Sequence, residues 1–178
     1  KAISFQGGVN HQLRTVTYAG ASELDFNFGV SGEYHFSPYS GARASVDYAH
    51  ITNTTMHNQD LIDYDFGNVN VSVDYLFDLS TLLAGYTKER QIDVALAMGP
   101  VLSSRLSEGY ELMNKLSSTS LGAQFSVPVQ WHINNNWGIS LEPRARMFSK
   151  NYANLSYKTN VGKTTKLIDV QLGLKYTF

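Results

Sequence analysis

The end of the chain constrains its fold most. From Ile168 to Phe178 the residues alternate without a break: Ile168, Val170, Leu172, Leu174, Tyr176 and Phe178 fall on one side, and Asp169, Gln171, Gly173, Lys175 and Thr177 on the other. A period of two is that of a β-strand, whose successive side chains point to opposite faces. This strand has to present one wholly apolar face and one wholly polar face, so each face needs its own surroundings.

The same alternation recurs upstream and divides the chain into about eight strands. Ile3, Phe5, Gly7, Val9 and Leu13 oppose Ser4, Gln6, Gly8, Asn10 and Gln12; Leu24, Phe26, Phe28, Val30, Tyr34 and Phe36 oppose Asp25, Asn27, Ser31, Glu33 and His35. A third strand sets Ala42, Ala44, Val46 and Tyr48 against Arg43, Ser45, Asp47 and Ala49, and a fourth sets Val69, Val71, Val73, Tyr75 and Phe77 against Asn68, Asn70, Ser72 and Asp74. The fifth runs over Ile92–Gly99, the sixth from Leu121 to Ile133 and the seventh from Trp137 to Met147. Each reaches or approaches the roughly 9–11 residues that a tilted membrane-spanning strand needs. Pro128 and Pro143 stand inside the sixth and seventh strands, where they cannot donate to a ladder. They fall nearly opposite one another about Asn135, so a shared bulge is expected there.

Connections alternate in length. Ser37–Gly41 and Asn134–Asn136 are tight turns by their Pro, Gly and Asn content. Arg14–Ser22, Ile51–Asp65, Leu102–Ser118 and Ser149–Thr165 are polar and aperiodic, and read as long loops. Asp78–Arg90 is intermediate: Leu79, Leu82, Leu83 and Tyr86 suit one short helical turn with an apolar side.

Composition narrows the class. The 178 residues suit a single domain over 1–178, and 43% hydrophobic content suffices for a core. No run of 18 apolar residues occurs, which excludes a helical membrane span, and no charged-then-apolar leader precedes the first strand, so the chain reads as a mature form. A net charge of -1 leaves no basic footprint for nucleic acid, and the absence of cysteine rules out a thiol nucleophile.

Gln171, Gly173, Tyr176 and Phe178 together resemble the C-terminal assembly signal of bacterial outer-membrane β-barrels. The chain as a whole resembles the eight-stranded domain of outer-membrane protein A and its small relatives, and Asp78–Arg90 resembles a turn of Bacteroides-type members. The resemblance implies an all-β protein, an eight-stranded antiparallel up-and-down transmembrane β-barrel of the Gram-negative cell envelope. It also implies the barrel assembly machinery and outer-membrane lipid, lipopolysaccharide included, as partners. Known members include envelope anchors, adhesins, accessory subunits of larger complexes and a few lipid A-modifying enzymes, so the fold does not select the function.

A soluble barrel would show the same period with its faces reversed. Membrane placement is favoured by the large aromatics Tyr34, Phe36, Tyr75, Phe77, Trp131, Trp137, Tyr176 and Phe178, all at the strand ends next to the short connections, as in an interfacial girdle. Alternating short turns and long loops point the same way, with the termini and short turns periplasmic and the long loops extracellular.

On that topology Glu33, Arg43, Glu142, Arg144, Arg146 and Lys175 form a lumenal charge network, since eight strands leave an interior that side chains fill. Leu79, Leu82, Leu83 and Tyr86 form a candidate periplasmic contact with a protein partner or the membrane. His11 and His50, near the loop ends, lack a serine and an acid beside them on one face, His57 falls in a loop, and His35 and His132 sit near the turns, so no enzyme is expected. No metal-ligand spacing and no cofactor motif appears. The expected function is a structural or accessory outer-membrane barrel, either in envelope integrity or as a subunit of a larger complex. The alternatives are an adhesin-type barrel binding through long loops that carry Tyr18, Tyr110, Tyr152 and Tyr157, and a narrow pore.

Overall fold

The computed structural model describes residues 1–13, 24–57, 60–85, 90–106, 119–149 and 164–178; the side chains of residues 12, 13, 53–65, 164 and 165 are not described. Its strands are β1 (Ala2–Leu13), β2 (Asp25–His35), β3 (Ser40–His57), β4 (Asp60–Asp78), β5 (Ile92–Arg105), β6 (Thr119–Ser126), β7 (Val129–His132), β8 (Trp137–Ser149) and β9 (Thr164–Thr177), with one helix, α1 (Leu79–Ala84), after β4. Neighbours in sequence pair antiparallel, and β9 pairs with β1 over twelve residues, from Ala2 opposite Thr177 to Leu13 opposite Lys166. The sheet therefore closes into an eight-stranded barrel, β6 and β7 being two halves of one strand.

No bulge separates those halves, contrary to the expectation from Pro128 and Pro143. Ser126 faces Arg144 on one side of the gap and Val129 faces Leu141 on the other, with two residues intervening in each strand. The interruption is a loss of hydrogen bonds. The Val127 N–H donates to the Pro143 carbonyl and the Ala95 N–H to the Pro128 carbonyl, but neither proline can return the bond. The two prolines thus remove bonds from opposite edges of the same strand at the same level. A third, Pro100, lies within β5, where the β4 ladder also lapses between Ser72 and Tyr75.

Strands also run further than alternation suggests. Residues 51–57 and 60–65, expected as part of a loop, continue β3 and β4 as paired strands as far as His57 opposite Asp60. Residues 102–105 belong to β5, and Ser149 and Thr164 are still paired. Asp25, at the end of β2, accepts from the Thr52 N–H and hydroxyl at 2.9 and 2.8 Å, satisfying a backbone donor that β2 no longer reaches.

The faces are inverted relative to a soluble protein. Phe5 and Leu172 are 65% and 61% exposed, whereas Arg43 and Arg146 are 2% and 1% exposed. Along β8 every second residue is buried, Gly138, Ser140, Glu142, Arg144, Arg146 and Phe148 in turn, and every residue between them is exposed. An apolar belt drawn from all the strands far exceeds the few hundred Å² that a soluble monomer leaves uncovered, and requires an apolar medium around it.

Candidate functional site: the lumen and its rims

Register decides which lumenal charges meet. On β3 the inward positions Arg43, Asp47 and Ile51 follow at four-residue steps, roughly 13 Å apart along the strand, and each anchors a different layer. In the layer nearest the short connections, the Arg43 guanidinium donates to Asp74 at 3.0 Å and to both oxygens of Glu142 at 2.7 and 2.8 Å, with Ser126 taking a further bond at 3.2 Å. Gln124 closes the other side of Asp74, and Gln6 reaches Glu142.

In the next layer Arg144 and Arg146 alternate with two carboxylates: Arg144 meets Asp169 at 2.9 Å and Asp47 at 3.4 Å, while Arg146 meets Asp47 at 2.9 Å and Asp169 at 3.1 Å. Asn70 also donates to Asp47. Above these, Ile51, Phe66, Val101, Phe148 and Leu167 form a buried apolar layer across the interior. Ile51 stands directly opposite Phe66, and the Arg105 guanidinium lies 4.8 Å over the Phe66 ring.

Of the six residues expected in a lumenal network, Arg43 joins Glu142, Arg144 joins Arg146, and Lys175 joins Glu33 at 2.5 Å. Asp47, Asp74 and Asp169 are equally part of it. Each lies on the polar face in the sequence, but only the register identifies it as the counter-ion. The apolar layer leaves a fainter trace: Ile51 shares the face of Asp47, Phe148 that of Arg146, and Leu167 that of Asp169, each one or two inward steps further along its strand.

At the short-connection end the lumen opens into a cavity of about 440 Å³, lined among others by Glu33, His35, Asp93, Gln130, His132 and Lys175. His132 Nε2 lies 2.7 Å from Asp93, and its Nδ1 lies 3.3 Å from the Gln130 amide. His35 stands 3.6 Å from Glu33. His50 faces outward and stacks on Phe26 at 5.2 Å. No cluster of three or more metal-ligating groups occurs among the described residues.

The outer rim of this end carries the expected rings. Trp137 packs on Tyr176 and Tyr176 on Phe178 edge to face, with centroids 4.9 and 5.0 Å apart, and Phe36 lies 6.2 Å from Tyr75. Gly173 and Gln171 of the assembly-signal pattern face inward; Gln171 donates to Asn27, and a Cβ on Gly173 would come within 2.6 Å of the Ser140 hydroxyl. The helix expected in Asp78–Arg90 is α1, with Leu79 half-buried and Leu82 and Leu83 exposed. Tyr86 and the loop tyrosines Tyr18, Tyr110, Tyr152 and Tyr157 lie outside the described residues.

Comparison with solved structures gives this arrangement its context. Over 99% of its length the chain matches Neisserial surface protein A, with a TM-score of 0.64 and 16% identity, covering 96% of that chain. The fold is that of the small outer-membrane β-barrels. Two further barrels match over 99% of this chain: OprG of Pseudomonas aeruginosa, at TM-score 0.61, 12% identity and 95% of that chain, and the attachment invasion locus protein Ail of Yersinia pestis, at 0.54, 14% and 97%. The Ail structure is a complex with the heparin analogue sucrose octasulfate. No protein-family description and no curated sequence matches the chain. None of these barrels ties the Asp78–Arg90 connection to Bacteroides, and at such identities the likeness is one of fold.

Proposed function

We propose that this chain is an integral outer-membrane barrel with a closed lumen and a structural or accessory role in the cell envelope. The observation that carries this reading is the stacking of two charge layers, Arg43–Asp74–Glu142 and Arg144–Arg146–Asp47–Asp169, beneath the apolar layer of Ile51, Phe66, Val101, Phe148 and Leu167. A conducting path would have to separate ion pairs that have little water to compensate them, and then cross a dry layer. Planar-bilayer recording at neutral pH tests it: no large steady conductance is expected, and a persistent open level would overturn the closed lumen. The short-connection end and both termini face the periplasm in this proposal, and the β3–β4 hairpin faces outward, the usual arrangement of such barrels. Lipid including lipopolysaccharide, the assembly machinery reading Gln171, Gly173, Tyr176 and Phe178, and a protein partner in an outer-membrane complex are its proposed contacts.

The projecting β3–β4 hairpin favours a second reading, a barrel that binds at the cell surface. Its ligand would differ in charge from the sulfated sugar held by Ail, because residues 51–65 include Asp60, Asp63 and Asp65 but no Lys or Arg. No enzymatic role is proposed. His132 carries a carboxylate on one ring nitrogen, but Gln130 occupies the side on which a nucleophilic hydroxyl would have to stand.

A further inference from the structure

Leu82 and Leu83 are 54% and 82% exposed, yet the helix that carries them is fixed to the barrel on its other side. Asp78 accepts from the Thr81 N–H at 2.8 Å as an N-cap, and Thr81 itself is buried. The Ser80 hydroxyl accepts from the Val94 N–H and donates to the Val94 carbonyl, filling the place where a further β4 residue would have continued the ladder. Gly85, at φ 74°, ends the helix in a conformation that favours glycine. Two leucines are thus held in the open by an ordered mount.

Their position says what they meet. The Asp78 N–H donates to the Tyr39 carbonyl at 2.9 Å, so α1 starts beside the turn between β2 and β3. Exposed Phe36, Tyr39 and Tyr75 stand at that same rim. Asp78 lines the cavity at the barrel mouth, but no residue of α1 does, which places the leucines outside the lumen. No residue of α1 is charged; Asp78 caps its start and the Arg90 guanidinium donates to the Gly85 carbonyl at its end, so the two leucines continue the aromatic ring of the rim with a basic side chain beside them, as amphipathic groups do at a membrane interface.

We propose that α1 is an interfacial anchor: Leu82 and Leu83 insert into the lipid at the headgroup–acyl boundary on the short-connection side and fix the depth at which the barrel sits. This rests on the membrane placement proposed above, and the test separates the two. The chain has no cysteine, so Leu83→Cys and Leu82→Cys can each be labelled singly with an environment-sensitive dye, alongside Val71→Cys in the apolar belt. Each variant is folded into phosphatidylcholine vesicles, and folding is checked by the mobility shift of the unheated barrel in gels. The Leu83 and Leu82 labels are expected to emit to the blue of the free dye, to resist aqueous iodide, and to be quenched more by lipids brominated near the headgroup than by lipids brominated deep in the chain. The Val71 label should show the opposite depth preference. Leu82 and Leu83 labels quenched by iodide and indifferent to brominated lipid, with Val71 still responding, would overturn the anchor alone. Disulfide-linked dimers of Leu83→Cys at low protein-to-lipid ratio would overturn it in favour of a second copy. A Val71 label indifferent to brominated lipid would overturn the membrane placement itself.

Discussion

Arg43 is the residue on which the interior depends most. It is the cation shared by Asp74 and Glu142, all three side chains being at most 1% exposed. Removing one partner of a buried ion pair leaves an uncompensated charge, which typically costs about 3–5 kcal/mol. Arg43→Ala is therefore expected to lower barrel stability by an amount of that order, read as the shift of the urea unfolding midpoint in detergent micelles or vesicles. Lys175→Ala should shift it less, because the Lys175–Glu33 pair borders the open cavity, where water can take over part of the solvation. Equal effects would mean that the Arg43 layer is no drier than the mouth. Sequence placed Arg43 and Glu142 on the polar face. It did not pair them, since 99 residues separate them and only strand register brings them within 2.7 Å.

Elements show a second kind of specificity in the seam between β1 and β9. A Cβ on Gly8 would sit 2.0 Å from the Val170 carbonyl oxygen and 2.8 Å from the Gln171 Cα, a backbone approach that only glycine permits. At the next residue, Gly7, the nearest heavy atom would be 3.8 Å away. Gly8→Ala should thus destabilise the barrel by about 1–3 kcal/mol through overpacking, whereas Gly7→Ala should be near neutral. The temperature at which the folded band converts to the unfolded band in gels measures both, and a Gly7→Ala as damaging as Gly8→Ala would refute the close approach. Alternation showed both glycines but could not rank them, because crowding depends on how far the neighbouring strand coils towards them.

The molecule as a whole closes with its first and last strands paired, and both of its ends lie with the short connections. Orientation follows if that end is periplasmic. A membrane-impermeant maleimide on intact cells should label Asn58→Cys, between the ends of β3 and β4, and should reach Ser37→Cys only after the outer membrane is opened. The reverse pattern would invert the topology.

The sequence by itself determined the strands, their two faces and the direction of the apolar belt. These are local properties: a period of two is written into neighbouring residues and survives whatever the chain packs against. Residues 51–57, 60–65 and 102–105 carry no such alternation and read as loops, yet their backbones keep the ladder, because the ladder is made by N–H and C=O groups that every residue but proline supplies. Tertiary structure alone decided the counter-ions, the gap made by Pro128 and Pro143, and the apolar layer. Ile51, Phe66, Val101, Phe148 and Leu167 come from five strands, and each is only an apolar residue in a polar row until closure of the barrel brings them together.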